Sequence, residues 1–165
     1  MNISVVLPAY NEQENIFQAV NHVYKYLKKH FRNFEIIVVN DGSRDKTAAI
    51  VKSLMAKIPQ LRLINHARNL GFGAALTSGF TNASHSLVFY TDADCQYHIS
   101  DLAKLMPLIR TCDIVAGYRI HRQDPLMRIF IGWVYNALIR LVFNLHVRDI
   151  DCSFKLYRRR VFQVI

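Results

Sequence analysis

The sequence holds only three cysteines, Cys95, Cys112 and Cys152, and no two of them form a Cys-x-x-Cys pair. An odd number without that spacing disfavours a disulfide framework or a zinc knuckle and points to a reducing, cytosolic setting. Glycine and proline are sparse, at 6 and 4 residues, which excludes a collagenous or low-complexity chain. The opening Asn2-Ile3-Ser4-Val5-Val6-Leu7 carries neither a basic leader nor a small-residue cleavage site, which reads against a secretory signal peptide. No Walker lysine motif and no full dinucleotide fingerprint occurs. Acidic residues are few, 12 against 21 Lys and Arg, leaving a net charge of +9.

What is present is apolar and ordered in pattern. With 165 residues and 52% hydrophobic content, the chain can bury a real core and reads as one domain over residues 1–165. Residues 117–165 hold nine basic and three acidic side chains, so they carry +6 of the +9. They are also rich in Ile, Leu, Val and Phe. A basic, apolar segment on a near-neutral body suggests an anionic surface, either lipid headgroups or nucleic acid. Nucleic acid is the weaker of the two, because no helix-turn-helix, RNA-binding or zinc signature accompanies the charge.

Five β-branched runs, Ile3–Leu7, Phe34–Val39, Leu61–Ile64, Leu87–Thr91 and Ile114–Ala116, read as strands buried on both faces. Between them Ile16, Val20, Val23, Leu27 and Phe31 mark one helix face, as do Val51, Leu54, Met55 and Ile58, and Leu102, Leu105, Met106 and Ile109. Pro107 predicts a kink or a shorter helix in the last of these. The alternation predicts an α/β fold, Rossmann-like, with a mostly parallel sheet and helices on both faces. In such sheets ligands bind beyond the carboxyl ends of the strands.

The residues after each strand are therefore the informative ones. After the first come Pro8-Ala9-Tyr10-Asn11-Glu12, where Asn11 and Glu14 have capping-box spacing. After the second come Asn40-Asp41-Gly42-Ser43-Arg44-Asp45-Lys46-Thr47. There Asp45 suits a helix N-cap, and Asp41 sits at the strand tip, where it can accept from a base or ribose. After the third lie Asn69-Leu70-Gly71-Phe72-Gly73-Ala74-Ala75. After the fourth, Asp92-Ala93-Asp94-Cys95-Gln96 sets two carboxylates two residues apart, unfavourable unless a cation lies near. Hard oxygens suit Mg²⁺ or Mn²⁺, with substrate phosphates completing the shell. His66, His85 and His98 lack metal-ligand spacing and read as surface or loop residues.

Five motifs in register, Pro-Ala-Tyr-Asn-Glu, Asn-Asp-Gly-Ser-x-Asp-x-Thr, Asn-x-Gly-x-Gly-Ala-Ala, Asp-Ala-Asp-x-Gln and Gly-Tyr-Arg, resemble the inverting family 2 glycosyltransferases of GT-A fold. The likeness is greatest to dolichyl- and polyprenyl-phosphate sugar transferases, and it extends from Ile3 to Arg160. The resemblance implies that Pro8, Ala9, Tyr10, Glu12, Asp41, Asp92 and Ala93 contact the nucleotide, with Glu12 near the ribose and Asp41 on the base. It implies a Mg²⁺ or Mn²⁺ ion at Asp92 and Asp94, helped by Gln96. It places Arg119 and Arg128 on the acceptor phosphate. The segment Asp149–Arg159 resembles the family's Asp-x-Asp-Cys-Gly-Phe-Lys-Leu-Phe-Arg-Arg. Tyr118, Ser153 and Phe72 depart from residues that are often Ser, Gly and Lys.

Relatives of this kind commonly continue further, so the chain reads as a fragment, a truncated gene product or a minimal enzyme. In Leu126–Leu145, Arg128, Gly132, Asn136, Arg140 and Asn144 recur every four residues on an otherwise apolar stretch. Eleven uncharged residues between Arg128 and Arg140 are too few to cross a bilayer. An interfacial helix with Trp133 and Tyr135 at headgroup level, or an ordinary core helix, both fit. The run Arg158–Arg160 reads as a solvated face or a contact with anionic lipid.

The expected activity is transfer of a sugar from a nucleoside-diphosphate donor to a polyprenyl phosphate, dolichyl or undecaprenyl, at the cytosolic face of a membrane. A separate membrane partner or a homo-oligomer fits that setting. Two alternatives remain: transfer to a sugar hydroxyl with Asp149 or Asp151 as base, or a non-catalytic nucleotide-binding remnant.

Overall fold

The computed structural model describes residues 2–118, 127, 139, 142, 149–150 and 152–163. Strand β1 (Asn2–Ala9) is apolar at nearly every position because it is covered on both faces and flanked on both edges. It pairs parallel with β2 (Asn33–Asn40) on one side and with β4 (Leu87–Thr91) on the other. Strand β3 (Leu61–Asn65) adds parallel to β2.

Helix α1 (Ile16–His30) buries Ile16, Ala19, Val20, Val23 and Leu27, the stripe that the sequence predicts. Helix α2 (Thr47–Met55) buries Val51 and Leu54, while Met55 is exposed. Helix α4 (Leu102–Leu105) is a single turn, and Pro107 opens a 3₁₀ turn at Leu108–Arg110, the shortening expected of proline. These elements share one core with Val5, Leu7, Ile36, Val38 and Phe89. Helix α3 (Phe72–Asn82) covers the other face, where Ala75, Leu76 and Phe80 meet Val6, Ile37, Val39, Val88 and Tyr90. Alternate strand residues feed opposite cores, as the pleat requires. At Gly79 a Cβ would lie 2.3 Å from Val6 Cγ1, so only glycine lets α3 sit this close to β1.

The strand order is β3-β2-β1-β4-β6-β5, with β5 at Ile114–Ala116. Strand β6 (Phe154–Arg158), which is not among the five runs read as strands, runs antiparallel between β4 and β5 in the mostly parallel sheet that the pattern predicts. Its period-two signal was present, with Phe154 and Leu156 buried and Lys155, Tyr157 and Arg158 partly exposed. Its insertion makes β5 an edge, as β3 is at the other end. Ile114 is exposed and so is Arg62, so these two strands are not buried on both faces.

A polar knot closes the amino ends of the central strands. Glu35 Oε1 accepts from the hydroxyl of fully buried Ser4 at 2.6 Å and from the Ser84 amide at 2.7 Å. The Ser84 hydroxyl and Arg62 add further bonds. Burial acts to raise the Glu35 carboxyl, but these donors outweigh it and hold the pKa at about 2.

Candidate functional site

At the carboxyl ends of the strands, the loops after β1 and β2 are zipped together. Ser43 Oγ accepts the Asn11 amide at 2.9 Å, Thr47 Oγ1 the Glu12 amide at 2.9 Å, and Asp45 Oδ2 the Gln13 amide at 3.0 Å. In return, Asn11 Oδ1 accepts the Arg44 amide at 2.9 Å and Gln13 Oε1 the Lys46 amide at 3.2 Å. Three alternating side chains of one motif thus satisfy three consecutive amides of the other.

This corrects the capping box expected of Asn11 and Glu14. Asn11 has a φ of 55° and turns its side chain to Arg44, and α1 starts after Asn15 with no side-chain cap bond. Asp45 serves α2 from one position further out than an N-cap. Its Oδ1 takes the Thr47 amide and hydroxyl, while Lys46 flanks the helix. Gly42 has a φ of 69°, and a Cβ there would meet the Arg68 carbonyl carbon at 2.3 Å. The second and third loops could not approach this closely with any other residue.

Asp41 joins the third loop to the first two. Its own amide donates to Ala9 O. Its Oδ1 accepts from the Leu70 amide at 2.9 Å and lies 2.6 Å from His66 Nδ1, and its Oδ2 accepts the Gly71 amide at 2.9 Å. Burial acts to raise its pKa, yet these hydrogen bonds and the facing imidazole together hold it below the ordinary carboxylate range. His66 is therefore no surface histidine. Its side chain is only 9% exposed, and Nε2 reaches Ser78 Oγ on α3 at 2.8 Å. The strand register carried this signal: Asn40 pairs with Asn65, which sets the next residues, Asp41 and His66, side by side.

Beyond β4 the chain bends through Asp92-Ala93-Asp94 to Cys95, which has a φ of 61°. The Gln96 amide donates to Asp94 Oδ1 at 3.0 Å. A cavity of about 310 Å³ opens between this bend and the three latched loops. Pro8, Ala9, Tyr10 and Glu12 line it from the first loop, Asp41 from the second, and Asp92, Ala93 and Asp94 from the fourth. Asn69, Gly71, Phe72 and Ala75 complete the wall, and of these sequence reasoning singled out none as a site residue. Gln96 is exposed and is not among the lining residues. Arg119 and Arg128 lie outside the described residues, as do Asp151, Trp133 and Tyr135.

Tyr10 and Phe72 are 44% and 51% exposed, so two aromatic side chains stand open to a ligand at one mouth. Among the described residues no group of three His, Cys, Asp or Glu side chains is placed to hold a metal. The donor set at Asp92 and Asp94, two hard carboxylates on one cavity, fits a divalent cation whose other ligands come from a bound diphosphate and water.

A larger cavity, of about 500 Å³, lies at the opposite end of the sheet. It is walled by Arg110, Arg158, Arg159 and Arg160, but Arg158 donates to Ile109 O and Arg110 O, and Arg159 to Ser84 O. Arg158 and Arg159 thus strap the sheet's amino end, while Arg160 pairs with Asp113 on an exposed face. The smaller cavity has the strand-end position and the carboxylates that a phosphate-bearing ligand and its cation need.

A mostly parallel α/β sheet with a cavity beyond the carboxyl ends of its strands belongs to the class of folds that bind their ligands at that edge. The sequence profile described as Glycosyl transferase family 2 matches residues 4–165, and the chain belongs to that family. It is 35% identical to a dolichyl-phosphate beta-glucosyltransferase of Trichomonas vaginalis, over 93% of this chain and 51% of that protein. It is 30% identical to an undecaprenyl-phosphate 4-deoxy-4-formamido-L-arabinose transferase of Yersinia enterocolitica, over 99% of this chain and 50% of that one. The chain spans about half the length of these curated relatives. Among solved structures it resembles glucosyl-3-phosphoglycerate synthase from Mycobacterium tuberculosis in complex with Mn²⁺, UDP and glucosyl-3-phosphoglycerate. That likeness has a TM-score of 0.75 at 20% identity and covers 97% of this chain and 57% of that one. A mannosyltransferase from Pyrobaculum calidifontis, in complex with GDP-mannose and Mn²⁺, gives 0.70 at 20%, over 98% and 46%. The fold is GT-A.

Proposed function

We propose that the protein transfers a sugar from a nucleoside-diphosphate donor to a polyprenyl phosphate, with inversion at the anomeric carbon. The observation that carries this reading is the gathering of Tyr10, Glu12, Asp41, Asp92 and Asp94 around one cavity at the strand ends. The curated relatives, named for sugar transfer to dolichyl or undecaprenyl phosphate, support the acceptor class.

The latched loops hold the nucleoside, with Tyr10 and Phe72 offering aromatic faces and Asp41 an acceptor at the floor. Asp92 and Asp94 hold Mg²⁺ or Mn²⁺ together with the donor diphosphate, and Gln96 stands two residues along the same bend. The bound cation supplies charge neutralisation for the departing diphosphate. A phosphate monoester is already an anion, so it attacks without a general base. The acceptor side then calls for cations that position it and offset phosphate–phosphate repulsion, the role we assign to Arg119 and Arg128.

No helix of the described residues is long and apolar enough to cross a membrane. Met127 and Val142 are helical and about 70% exposed, which supports an apolar surface resting on the cytosolic face of a membrane, beside the lipid acceptor. The test is a panel of nucleoside-diphosphate sugars with polyprenyl phosphate in liposomes, scored for lipid-linked sugar. Product from one donor, lost on Arg128→Lys while donor hydrolysis persists, is the expected result. Transfer to lipid phosphate by Arg128→Lys at the wild-type rate removes Arg128 from the acceptor site.

A further inference from the structure

Asp41, His66 and Ser78 form a linear relay from the floor of the cavity to the middle of α3. The order is that of a hydrolase triad, but the surroundings are not. Ser78 lies inside α3, where the neighbouring amides are used in helix hydrogen bonds, so no pair of free amides is placed to hold an oxyanion. The relay is a strut. Asp41 is ionised and can only accept, so His66 Nδ1 carries the proton on that side and Nε2 meets the Ser78 hydroxyl. The backbone that carries the imidazole is fixed too, because the His66 amide donates to Asn40 O at 2.9 Å. Gly79, seated against Val6, fixes the far end by holding α3 to the sheet.

A carboxylate offers about four lone-pair directions. On Oδ1 the two are taken by His66 and the Leu70 amide. On Oδ2 the described residues supply one donor, the Gly71 amide, and Asp41 lines the cavity. We propose that His66 is a positioning residue for donor recognition. By locking Oδ1 it turns the remaining lone pair of Oδ2 toward the cavity and sets the preference for a base that presents an imino N–H. Uracil and guanine present such a group; cytosine presents an acceptor at the corresponding ring nitrogen. A buried acceptor facing another acceptor leaves both unpaired, so the wrong base is rejected more strongly than a shape difference alone allows. Without the imidazole, Oδ1 loses one of its two donors, and only the Leu70 and Gly71 amides orient the carboxylate.

This inference rests on the reading of the cavity as a nucleoside-diphosphate site, and one experiment separates the two. Binding of UDP, GDP and CDP to the full chain, with Mg²⁺ present, is measured by calorimetry for wild type, His66→Ala, His66→Asn and Ser78→Ala. The wild type is expected to prefer UDP or GDP to CDP. His66→Ala is expected to weaken the preferred nucleotide by about tenfold or more while leaving CDP nearly unchanged, so that selectivity collapses. His66→Asn returns an N–H near the Nδ1 position and should recover most of the loss. Ser78→Ala, a milder change to the far end, should shift selectivity in the same direction by a few-fold, and it keeps the test open should His66→Ala not fold. A purely structural role for His66 would weaken all three nucleotides alike and would gain nothing from asparagine, and that pattern overturns the proposal. Wild-type preference for CDP, or unchanged selectivity in folded His66→Ala or Ser78→Ala, overturns it too. A wild type that binds none of the three overturns the nucleotide reading itself.

Discussion

The hydroxyl of Thr47 accepts the amide of Glu12 at 2.9 Å, across 35 positions of chain, and donates its own hydrogen bond to Asp45 Oδ1. Thr47 is fully buried, so neither bond can be replaced by water. Thr47→Val keeps the shape and removes both, leaving an amide and a carboxylate oxygen short of a partner. The expected loss is about 1–3 kcal/mol in urea unfolding, with Thr47→Ser close to wild type. Equal stability of the valine and serine variants would show that the zipped loops contribute nothing.

Glu35 sets an acid limit on the fold. Its pKa falls from 4.5 to about 2 in the folded state, so the folded protein binds the proton less readily than the unfolded chain. The stabilisation is therefore complete above about pH 4.5 and is lost as pH falls toward 2, and it amounts to about 3 kcal/mol. Little of it belongs to Arg62, whose side chain is 46% exposed. Stability measured between pH 7 and pH 2.5 should fall less steeply in Glu35→Gln than in wild type. Parallel curves would assign the acid sensitivity elsewhere.

Most of the frame was legible because two periods were clean. The stripe Ile16, Val20, Val23 and Leu27 and the run Leu87–Thr91 both occupy the positions that their spacing predicts. Strand β6 was not anticipated because Phe154–Arg158 is short and runs straight into Arg159 and Arg160, and its burial depends on a gap between β4 and β5 that its own alternation does not reveal. Within the site, the carboxylates Asp41, Asp92 and Asp94 stood out by type and place. His66 did not, because its meaning depends on parallel register across two strands. Asn11 has capping-box spacing, but tertiary bonds to Ser43 and Arg44 take over its groups.

Gly42 is the tightest point between the second and third loops. Gly42→Ala puts a methyl 2.3 Å from backbone of Arg68 and imposes a φ that L-residues rarely adopt. Backbone cannot give way as a flexible side chain can, so the Leu70 and Gly71 amides must move off Asp41. Donor affinity should drop at least tenfold, together with a stability loss on the order of 1–3 kcal/mol. A variant that binds nucleotide as tightly as wild type would show that the loop geometry around Asp41 is not needed for the donor.

Asp94 and Asp41 line the same cavity but are expected to fail in different ways. Three protein donors hold Asp41 and one Oδ2 lone pair is left for the base, so Asp41→Ala should loosen the third loop and weaken donor binding more than it slows bound donor. Asp94 Oδ1 accepts the Gln96 amide, and the carboxylate lines the cavity beside Asp92, where its charge can meet a cation. Asp94→Asn preserves shape and that hydrogen bond while removing the charge. Transfer should fall on the order of a thousandfold, about 4 kcal/mol of transition-state stabilisation, with unfolding unchanged. EDTA should likewise abolish transfer by the wild type without lowering its stability, and added Mg²⁺ or Mn²⁺ should restore it. In Asp94→Asn the same ions should restore little, because the ligand and not the ion is missing. Full transfer in EDTA would remove the metal from the mechanism, and an Asp94→Asn variant that works at the wild-type rate would remove Asp94.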